Sequence, residues 1–140
     1  MEVLTLERTL TELDHVRLLH LVRRGARGDG FPTPRHVVED MLDASVIVPS
    51  RQVPPDVVTM YSQVLLQDPE TGQRSTLTLC YPHDADPAAG FVSVLSPVGS
   101  SLLGLPVGSV ARWSTPARDK KSAEILAILF QPESSGDYSM

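Results

Sequence analysis

The sequence predicts an α+β fold, in which a short, coiled-coil-like antiparallel helical hairpin precedes a mostly antiparallel β domain with one short helix. Pro49, Pro54 and Pro55 interrupt the chain with residues that continuous helices and central strands do not tolerate. Before this stretch the chain carries helix start and stop signals, and after it short apolar runs alternate with turn signals. We therefore expect the helical hairpin over residues 1–52 and the β domain over residues 53–140.

The first helix is predicted over residues 12–24. Thr11 is a favourable N-cap residue, and Asp14 places negative charge in the first turn, where it interacts favourably with the helix dipole. No glycine or proline follows until Gly25, which ends the helix. Upstream of this helix, a short apolar run predicts a strand over Glu2–Arg8.

The second helix is predicted to begin at Thr33-Pro34 and to run to about Ile47. Threonine is a good cap residue, and proline suits the first helical position because its fixed φ is already helical. Between the two helices, residues 25–32 are too rich in glycine for anything but a turn. Two helices around a short turn should form an antiparallel hairpin.

The first helix carries apolar side chains on two roughly opposite sides, because successive residues are rotated by about 100°. One side holds Leu13, Val16 and Leu19, and the other holds Leu18, Leu21 and Val22. A single partner helix cannot cover both sides. We therefore expect the hairpin to lie against the β domain or to pair with another chain, rather than to stand free.

The second half contains short apolar runs that are typical of strands. The predicted strands are Val64–Gln67, Thr76–Tyr81, Phe91–Leu95, Val110–Ser114 and Glu124–Phe130. Between the first two, Asp68–Gly72 has the composition of a hairpin turn. Ser96 as the cap residue and Pro97 at the first helical position predict a short helix that Gly104 ends.

Composition excludes several classes of function. Twelve Lys and Arg against 17 Asp and Glu give a net charge of −5, which disfavours binding by overall attraction to nucleic acid or to an anionic membrane. The apolar runs are too short for a membrane span, and Met1-Glu2 does not begin a secretory signal. Cys80 has no second cysteine to pair with and is expected to be a core residue. These features predict a cytoplasmic protein.

Templates for catalytic and metal sites do not fit the sequence. His15 and His20 are five positions apart and point in different directions on a helix, and no cysteine pair could complete a zinc site. Asp84 and Asp86 lack the glycine and glutamate spacing of a calcium loop. Gly99–Gly104 is neither a nucleophile elbow nor a phosphate loop. We expect no catalytic residue, no metal and no cofactor.

One segment is more specific than these. Ser93–Gly108 resembles the signature of the C-terminal domain of the bacterial Gre transcript-cleavage factors, and Asp68–Gly72 lies where that family has a hairpin. The resemblance is closer to the regulators of nucleoside diphosphate kinase, short members of the same superfamily. With them the chain shares Asp56–Met60 after the proline-rich stretch, and Gln131–Glu133 followed by Gly136–Tyr138 near its end.

The resemblance implies an FKBP-like C-terminal domain that docks on RNA polymerase at the rim of its secondary channel, with the helical hairpin directed toward the channel. In the Gre family the loop leading into the short helix makes the docking contact, which here corresponds to Ser96, Pro97 and Val98. Two positions differ from the family pattern. Ser109 replaces the acidic residue that usually follows Val-Gly, and Leu95 stands where some relatives carry an aspartate.

The tip of the hairpin differs from that of a Gre finger. The resemblance implies that such a finger delivers paired carboxylates, which help to hold a catalytic magnesium ion at the polymerase active site. Here the residues around the predicted tip include Arg27 and a single carboxylate, Asp29, together with Arg23, Arg24 and Arg35. This excess of positive charge could contact nascent RNA or an acidic channel wall, or form a solvated, salt-paired turn.

We therefore expect a non-enzymatic, transcription-associated protein that binds RNA polymerase and can compete with other secondary-channel factors. One alternative is an active transcript-cleavage factor, which a second carboxylate at the tip would have supported. A prolyl isomerase is suggested by fold analogy alone. A regulator of nucleotide metabolism that acts on nucleoside diphosphate kinase without contacting the polymerase is a further alternative. The sequence leaves open whether the protein forms a homodimer.

Overall fold

The structure of the protein, a computed structural model, describes residues 8–24, 35–114 and 119–136. Within these ranges it contains three α-helices, a two-stranded sheet and a five-stranded sheet. This combination confirms the predicted α+β class. None of the helices in these ranges has the length and apolar character that crossing a membrane requires.

The first half is built from two short strands and two helices. These are β1 (Thr9–Thr11), α1 (Glu12–Arg24), α2 (Arg35–Ala44) and β2 (Val46–Val48). Helix α1 has the predicted bounds, and Thr11 Oγ1 accepts a hydrogen bond of 3.0 Å from the Asp14 backbone N–H, as expected for its cap. Helices α1 and α2 contact each other. The hairpin turn stays a prediction, because residues 25–34 lie outside the described ranges.

The predicted end of the second helix near Ile47 is wrong. Helix α2 ends at Ala44, and Val46–Val48 form β2, which pairs in parallel with β1. The Val46 N–H donates to the Arg8 carbonyl oxygen at 2.8 Å, so this segment has a backbone partner outside the helix. The β-branched residues of β2 favour extended backbone once a neighbouring strand supplies its hydrogen bonds.

Strand β1 lies just beyond the strand predicted over Glu2–Arg8. Residues 1–7 lie outside the described ranges, and Arg8 precedes β1 without belonging to it. Thr9–Thr11 is therefore a strand that local sequence did not indicate. Its partner β2 lies beyond both helices in the chain, so its pairing depends on the tertiary fold.

The second half forms the five-stranded sheet and one helix. Its elements are β3 (Gln63–Gln67), β4 (Arg74–Cys80), β5 (Phe91–Ser93), α3 (Pro97–Leu102), β6 (Val110–Ser114) and β7 (Lys120–Phe130). The strand order is β5-β4-β3-β7-β6, and every pair is antiparallel except β4 with β5. The predicted, mostly antiparallel sheet is confirmed. Strand β7 begins at Lys120 rather than Glu124, because its polar first residues pair with β6 despite lacking an apolar pattern.

The predicted hairpin turn joins β3 to β4. Asp68 Oδ1 accepts hydrogen bonds from the backbone N–H groups of Glu70 at 2.8 Å and Thr71 at 3.3 Å. Gly72 adopts a φ of +75°, a region that glycine enters without steric cost. The turn is thus stabilised by residues within it, which explains why its composition was sufficient to predict it.

One hydrophobic core joins the two halves. Its buried members include Leu10, Leu18, Val22 and Leu42 from the first half, and Val58, Met60, Leu102 and Ile125 from the second. Leu18 and Val22 are fully buried, whereas Val16 on the opposite side of α1 is 50% exposed. Helix α1 therefore joins the common core mainly through the Leu18 and Val22 side, with Leu19 of the other side half-buried against the same core, and the prediction that it does not stand free is confirmed. The FKBP-like character of the second half stays a prediction.

Candidate docking site

The start of α3 holds the three residues predicted to dock. Ser96 is the N-cap: its Oγ accepts a hydrogen bond of 3.0 Å from the Gly99 N–H and donates one of 2.7 Å to the Ser93 carbonyl oxygen. Pro97 occupies the first helical turn, where its missing N–H costs no hydrogen bond. The predicted cap and helix start are therefore confirmed, and the Ser96 hydroxyl ties the helix to the end of β5.

Gly99 allows α3 to approach β5 closely. A Cβ atom at this position would lie 2.0 Å from the Ser93 carbonyl oxygen, far inside van der Waals contact. The neighbouring Leu95 N–H also donates to Ser93 Oγ at 3.1 Å. These contacts with Ser93 attach the loop between β5 and α3, and with it the start of the helix, to the end of β5.

The predicted docking residues lie side by side at the surface. Ser96, Pro97 and Val98 are each half-buried, and Val98 also packs against the core. Leu95, one of the two residues that depart from the family pattern, is buried and contributes to the core. The exposed parts of the three docking residues carry no charge. They can provide a shallow, uncharged contact surface for another macromolecule, and the Ser96 hydroxyl is engaged in the helix cap.

The other end of α3 is held by the first half of the chain. Arg8 Nη1 donates hydrogen bonds to the carbonyl oxygens of Ser100 at 3.0 Å and Leu103 at 2.8 Å. These carbonyls lie at the helix C-terminus, where partners within the helix are missing and a cation is favourable. Burial lowers the pKa of Arg8 from its usual value. Arg8 was not found from the sequence, because no local pattern reveals a partner more than 90 positions away.

Gly104 brings the two halves together just after α3. It adopts a φ of +82°, and a Cβ atom here would lie 3.0 Å from the Arg8 Cβ. Its carbonyl oxygen accepts from the Thr9 N–H at 3.0 Å, and its N–H donates to the Val58 carbonyl oxygen at 2.8 Å. The segment after α3 therefore forms hydrogen bonds both to β1 and to the chain that enters the sheet.

A buried polar joint connects α1 to the second half. Asp14 Oδ2 accepts a hydrogen bond of 3.1 Å from the Met60 N–H, and Asp14 is only 1% exposed. Beside it, Thr59 Oγ1 donates to Glu133 Oε1 at 2.7 Å. Burial, helped by the nearby Glu133 charge, raises the pKa of Asp14 to about 7, although hydrogen bonds from Met60 and Thr11 and the charge of Arg17 act in the opposite direction. Sequence reasoning had identified Asp14 only as a first-turn acid.

Gln131, in the family-like segment near the end of the chain, holds the proline-rich stretch. Its Nε2 donates to the carbonyl oxygens of Pro54 at 2.9 Å and Val57 at 2.8 Å. The side chain is buried. Gln131 thus fixes the path by which the chain passes from the first half into the sheet.

Tyr61 has an unusual backbone conformation. Its φ is 66°, which is uncommon for a residue other than glycine, and its hydroxyl donates a short hydrogen bond to Asp84. Its ring lies 5.8 Å from that of Tyr81, which in turn stacks 6.3 Å from His83. Burial, followed by the hydrogen bond to Asp84, raises the pKa of Tyr61 to about 12. These contacts stabilise the turn that leads into β3.

The remaining predicted site residues belong to the tip of the helical hairpin. Arg27 and Asp29 lie outside the described ranges. Among the described residues, no group of three or more His, Cys, Asp or Glu side chains could hold a metal ion. Of the residues singled out from the sequence, the structure therefore brings together Ser96, Pro97 and Val98 alone.

Comparison with known proteins identifies the family. Residues 53–130 match the family model described as "Transcription elongation factor, GreA/GreB, C-term". The chain is 37% identical over 97 residues to the regulator of nucleoside diphosphate kinase of Escherichia coli (strain K12), covering 69% of this chain and 71% of that protein. It is also 37% identical over 76 residues to the transcription elongation factor GreA of Desulfovibrio desulfuricans, covering 54% of this chain and 46% of that protein.

A solved structure gives the same result. A prokaryotic transcription elongation factor GreA/GreB from Nitrosomonas europaea superposes with a TM-score of 0.74 at 32% identity, covering 89% of this chain and 100% of that one. The family match covers more than half of the 140 residues and contains α3 with its cap. The chain therefore belongs to the GreA/GreB family of transcription elongation factors.

Proposed function

We propose that this protein binds RNA polymerase near the secondary channel, does not stimulate transcript cleavage, and can compete there with Gre factors. Membership of the GreA/GreB family supports RNA polymerase as the partner. The observation that carries the proposal is the surface formed by Ser96, Pro97 and Val98, which lies within the family-matched residues on a helix start that is hydrogen-bonded to Ser93. In this proposal the protein acts in the cytoplasm as a non-catalytic factor.

Two features support the absence of cleavage activity. Helix α1 has 13 residues. At about 1.5 Å per residue it extends only about 20 Å, which is short for a finger that has to reach the polymerase active site. Between α1 and α2, the sequence contains a single carboxylate, Asp29, and the nearby Arg27 opposes recruitment of a divalent cation. One acidic side chain is a poor ligand set for magnesium.

The contacts between the halves support a fixed direction for the helices. The Asp14–Met60 hydrogen bond and the burial of Leu18 hold α1 on the second half. Arg8, which also belongs to the first half, binds the end of α3. In the proposal the second half, with its FKBP-like character, is the docking domain. Docking through α3 would then set where the helical tip lies relative to the channel.

The experiment measures binding of the full chain to purified core RNA polymerase, with a fluorescently labelled protein and competition by a GreA protein. Pro97→Arg should weaken binding at least about tenfold, because it places a long charged side chain in the centre of the contact. Arginine is tolerated at the first turn of a helix, so the circular dichroism spectrum should not change.

Pro87→Arg is the matched control. Pro87 is exposed and also begins a short helical turn, over Pro87–Ala89, but it lies outside the proposed surface. It should leave the affinity within about twofold of that of the parent protein. Equal affinity of the folded Pro97→Arg variant and the parent would refute docking through α3. Lack of any binding to the polymerase would instead favour the nucleotide-metabolism alternative.

A further inference from the structure

Strand β2 leaves one edge of the two-stranded sheet open. In the described part of the chain its only neighbour is β1, with Leu10 paired to Ile47. The Val46 N–H donates to the Arg8 carbonyl oxygen, so the backbone N–H and C=O groups of Val46 and Val48 point toward β1. Backbone groups alternate in direction along a strand, and those of Ile47 therefore point away from β1. The open edge thus presents one donor and one acceptor from the same residue.

The side chains on this edge are apolar. Val46–Val48 is a run of three β-branched residues. Val46 and Ile47 are each 44% exposed, and Val48 is half-buried. Side chains of this type pack well against a neighbouring strand, and an exposed apolar edge strand is a template for pairing with another chain. A strand is therefore the kind of partner that this edge fits.

Both ends of β2 limit this pairing to a short segment. Pro49, the next residue whose backbone faces the open edge, has no N–H to donate, and its carbonyl oxygen accepts from the Gln52 N–H at 2.8 Å. At the other end, the Ser45 N–H donates to the Leu42 carbonyl oxygen, and its Oγ donates to that of Met41. These features oppose a long intermolecular sheet, which is how natural edge strands avoid aggregation. The edge can therefore accept one short strand.

We propose that the partner is strand β2 of a second copy of this chain, paired antiparallel about a two-fold axis at Ile47. The two copies of Ile47 exchange both N–H···O bonds, because each supplies a donor and an acceptor on the open edge. Val-Ile-Val reads the same in both directions, so Val46 packs against Val48 of the second copy. The result is a four-stranded sheet with the order β1-β2-β2-β1, two strands from each copy. This inference is independent of docking on the polymerase through α3.

The charges on either side of β2 favour a second copy in this orientation. Reversal of the chain about Ile47 brings Asp43, four positions before it, toward Arg51 of the second copy, four positions after it. Both side chains are exposed. Opposite charges therefore approach each other twice in the two-fold arrangement, which helps to fix the register. A parallel arrangement would instead bring Asp43 toward the same residue of the second copy.

The dimer interface is small, so we expect a weak dimer with a dissociation constant of about 10–100 μM. Sedimentation equilibrium of the full chain from about 5 to about 500 μM should show a mass that rises toward that of two chains. Ile47→Lys should weaken the association at least about tenfold, because it places a charge at the centre of the strand pair. Leu129→Lys, at an exposed aliphatic residue of β7, is the matched control and should change the dissociation constant less than about twofold. Circular dichroism checks that both variants are folded.

Cysteine variants test the register. Two paired Ile47 positions would lie about 5.5 Å apart between Cα atoms, within the range that a disulfide spans, whereas two Val46 positions would lie diagonally, about 7–8 Å apart. Under mild oxidation, Ile47→Cys should therefore form a covalent dimer at least about fivefold faster than Val46→Cys, although the two positions are equally exposed. The parent chain, in which Cys80 is buried, provides the background rate.

Four outcomes would overturn the proposal. The first is a monomer at every concentration. The second is equal crosslinking of Ile47→Cys and Val46→Cys, which would indicate random collision. The third is association that Ile47→Lys leaves unchanged, which would place the interface elsewhere. The fourth is slow amide exchange at Ile47 even in dilute, monomeric protein, which would show that another segment of the same chain covers the edge, whereas slowing that increases with concentration supports the dimer.

Discussion

Asp14 in α1 accepts a buried hydrogen bond from the backbone N–H of Met60, with 3.1 Å between Oδ2 and N. Met60 lies in the segment that leads into β3, so the bond passes from the helical half of the chain to the sheet. Asp14 is buried, and its pKa is raised. The contact between α1 and the second half is therefore sensitive to the protonation of the Asp14 carboxyl group.

Stability should fall as the pH rises from about 4 to about 7. The pKa of Asp14 moves from a usual 3.8 to about 7 in the folded protein, so in this window the folded state holds a proton that the unfolded chain releases. The stabilisation is fully present below 3.8 and is lost as the pH passes about 7. We expect a loss of roughly 1–4 kcal/mol in the free energy of unfolding, measured by urea titration at several pH values.

Asp14→Asn is the control for this pH dependence. Its amide oxygen can still accept from Met60, but the side chain does not ionise, so the slope between these pH values should flatten. Arg17, Tyr81 and Glu133, which also act on or near Asp14, are unchanged in this variant. An undiminished slope in Asp14→Asn would assign the pH dependence to another group.

Leu18→Glu should destabilise the protein by at least about 3 kcal/mol, because it places an unpaired carboxylate in the joint core of the two halves. Val16→Glu in the same helix should cost less than about 1 kcal/mol, because Val16 is half-exposed. Urea unfolding gives both values, and sedimentation gives the molecular mass. Similar losses in the two variants would contradict the assignment of the buried side of α1, and a change in mass for Val16→Glu would indicate that this side contacts another chain.

Arg8→Ala should destabilise the protein by roughly 1–3 kcal/mol, because two carbonyl oxygens at the end of α3 lose a charged donor. Arg8→Lys should recover part of this loss, since an ammonium keeps the charge but lacks the planar guanidinium. Arg23→Ala, at an exposed position near the end of α1, should change stability by less than about 0.5 kcal/mol. Thermal unfolding measures all three. If Arg8→Ala and Arg23→Ala behave alike, Arg8 does not stabilise α3.

The protein should not stimulate transcript cleavage. Stalled, backtracked elongation complexes at neutral pH, with the protein in large excess, should shorten their RNA no faster than the polymerase alone, while a GreA protein provides the positive control. The reason is that Asp29 offers one metal ligand where a pair is needed. Shortening above the intrinsic rate that Asp29→Ala abolishes would establish the cleavage-factor alternative.

Local sequence was sufficient to predict those features in which a side chain forms a hydrogen bond with a backbone group only a few positions away. Thr11 caps α1 three residues away, Asp68 accepts from the turn it begins, and Ser96 caps α3 in the same way. Each of these hydrogen bonds spans two or three positions, so the residue types and their spacing predict it without knowledge of the fold. For the same reason the residue types alone predict Ser96 and Pro97 at a helix start, whereas the docking role of Ser96, Pro97 and Val98 is what the family resemblance implies.

Longer contacts could not be predicted in this way. The second helix was predicted to continue to about Ile47 because an apolar run after helical residues is compatible with either state, and the pairing of Val46–Val48 with β1 decides between them. Arg8 and Gln131 bind carbonyl oxygens more than 70 positions away, and nothing near them in the chain indicates those partners. Lys120 and Lys121 follow no apolar pattern, and strand register alone places Lys121 opposite Trp113 and Lys120 opposite Ser114.

The sequence by itself determined the α+β class, the caps and turns, and the position of the helix start at Ser96 and Pro97, because these depend on interactions within a few residues. The tertiary structure decided which side of α1 is buried, where α2 ends, and which residues hold the two halves together. Those outcomes depend on burial and hydrogen bonding between segments far apart in the chain. These interactions stabilise the protein only once the segments have been brought into contact.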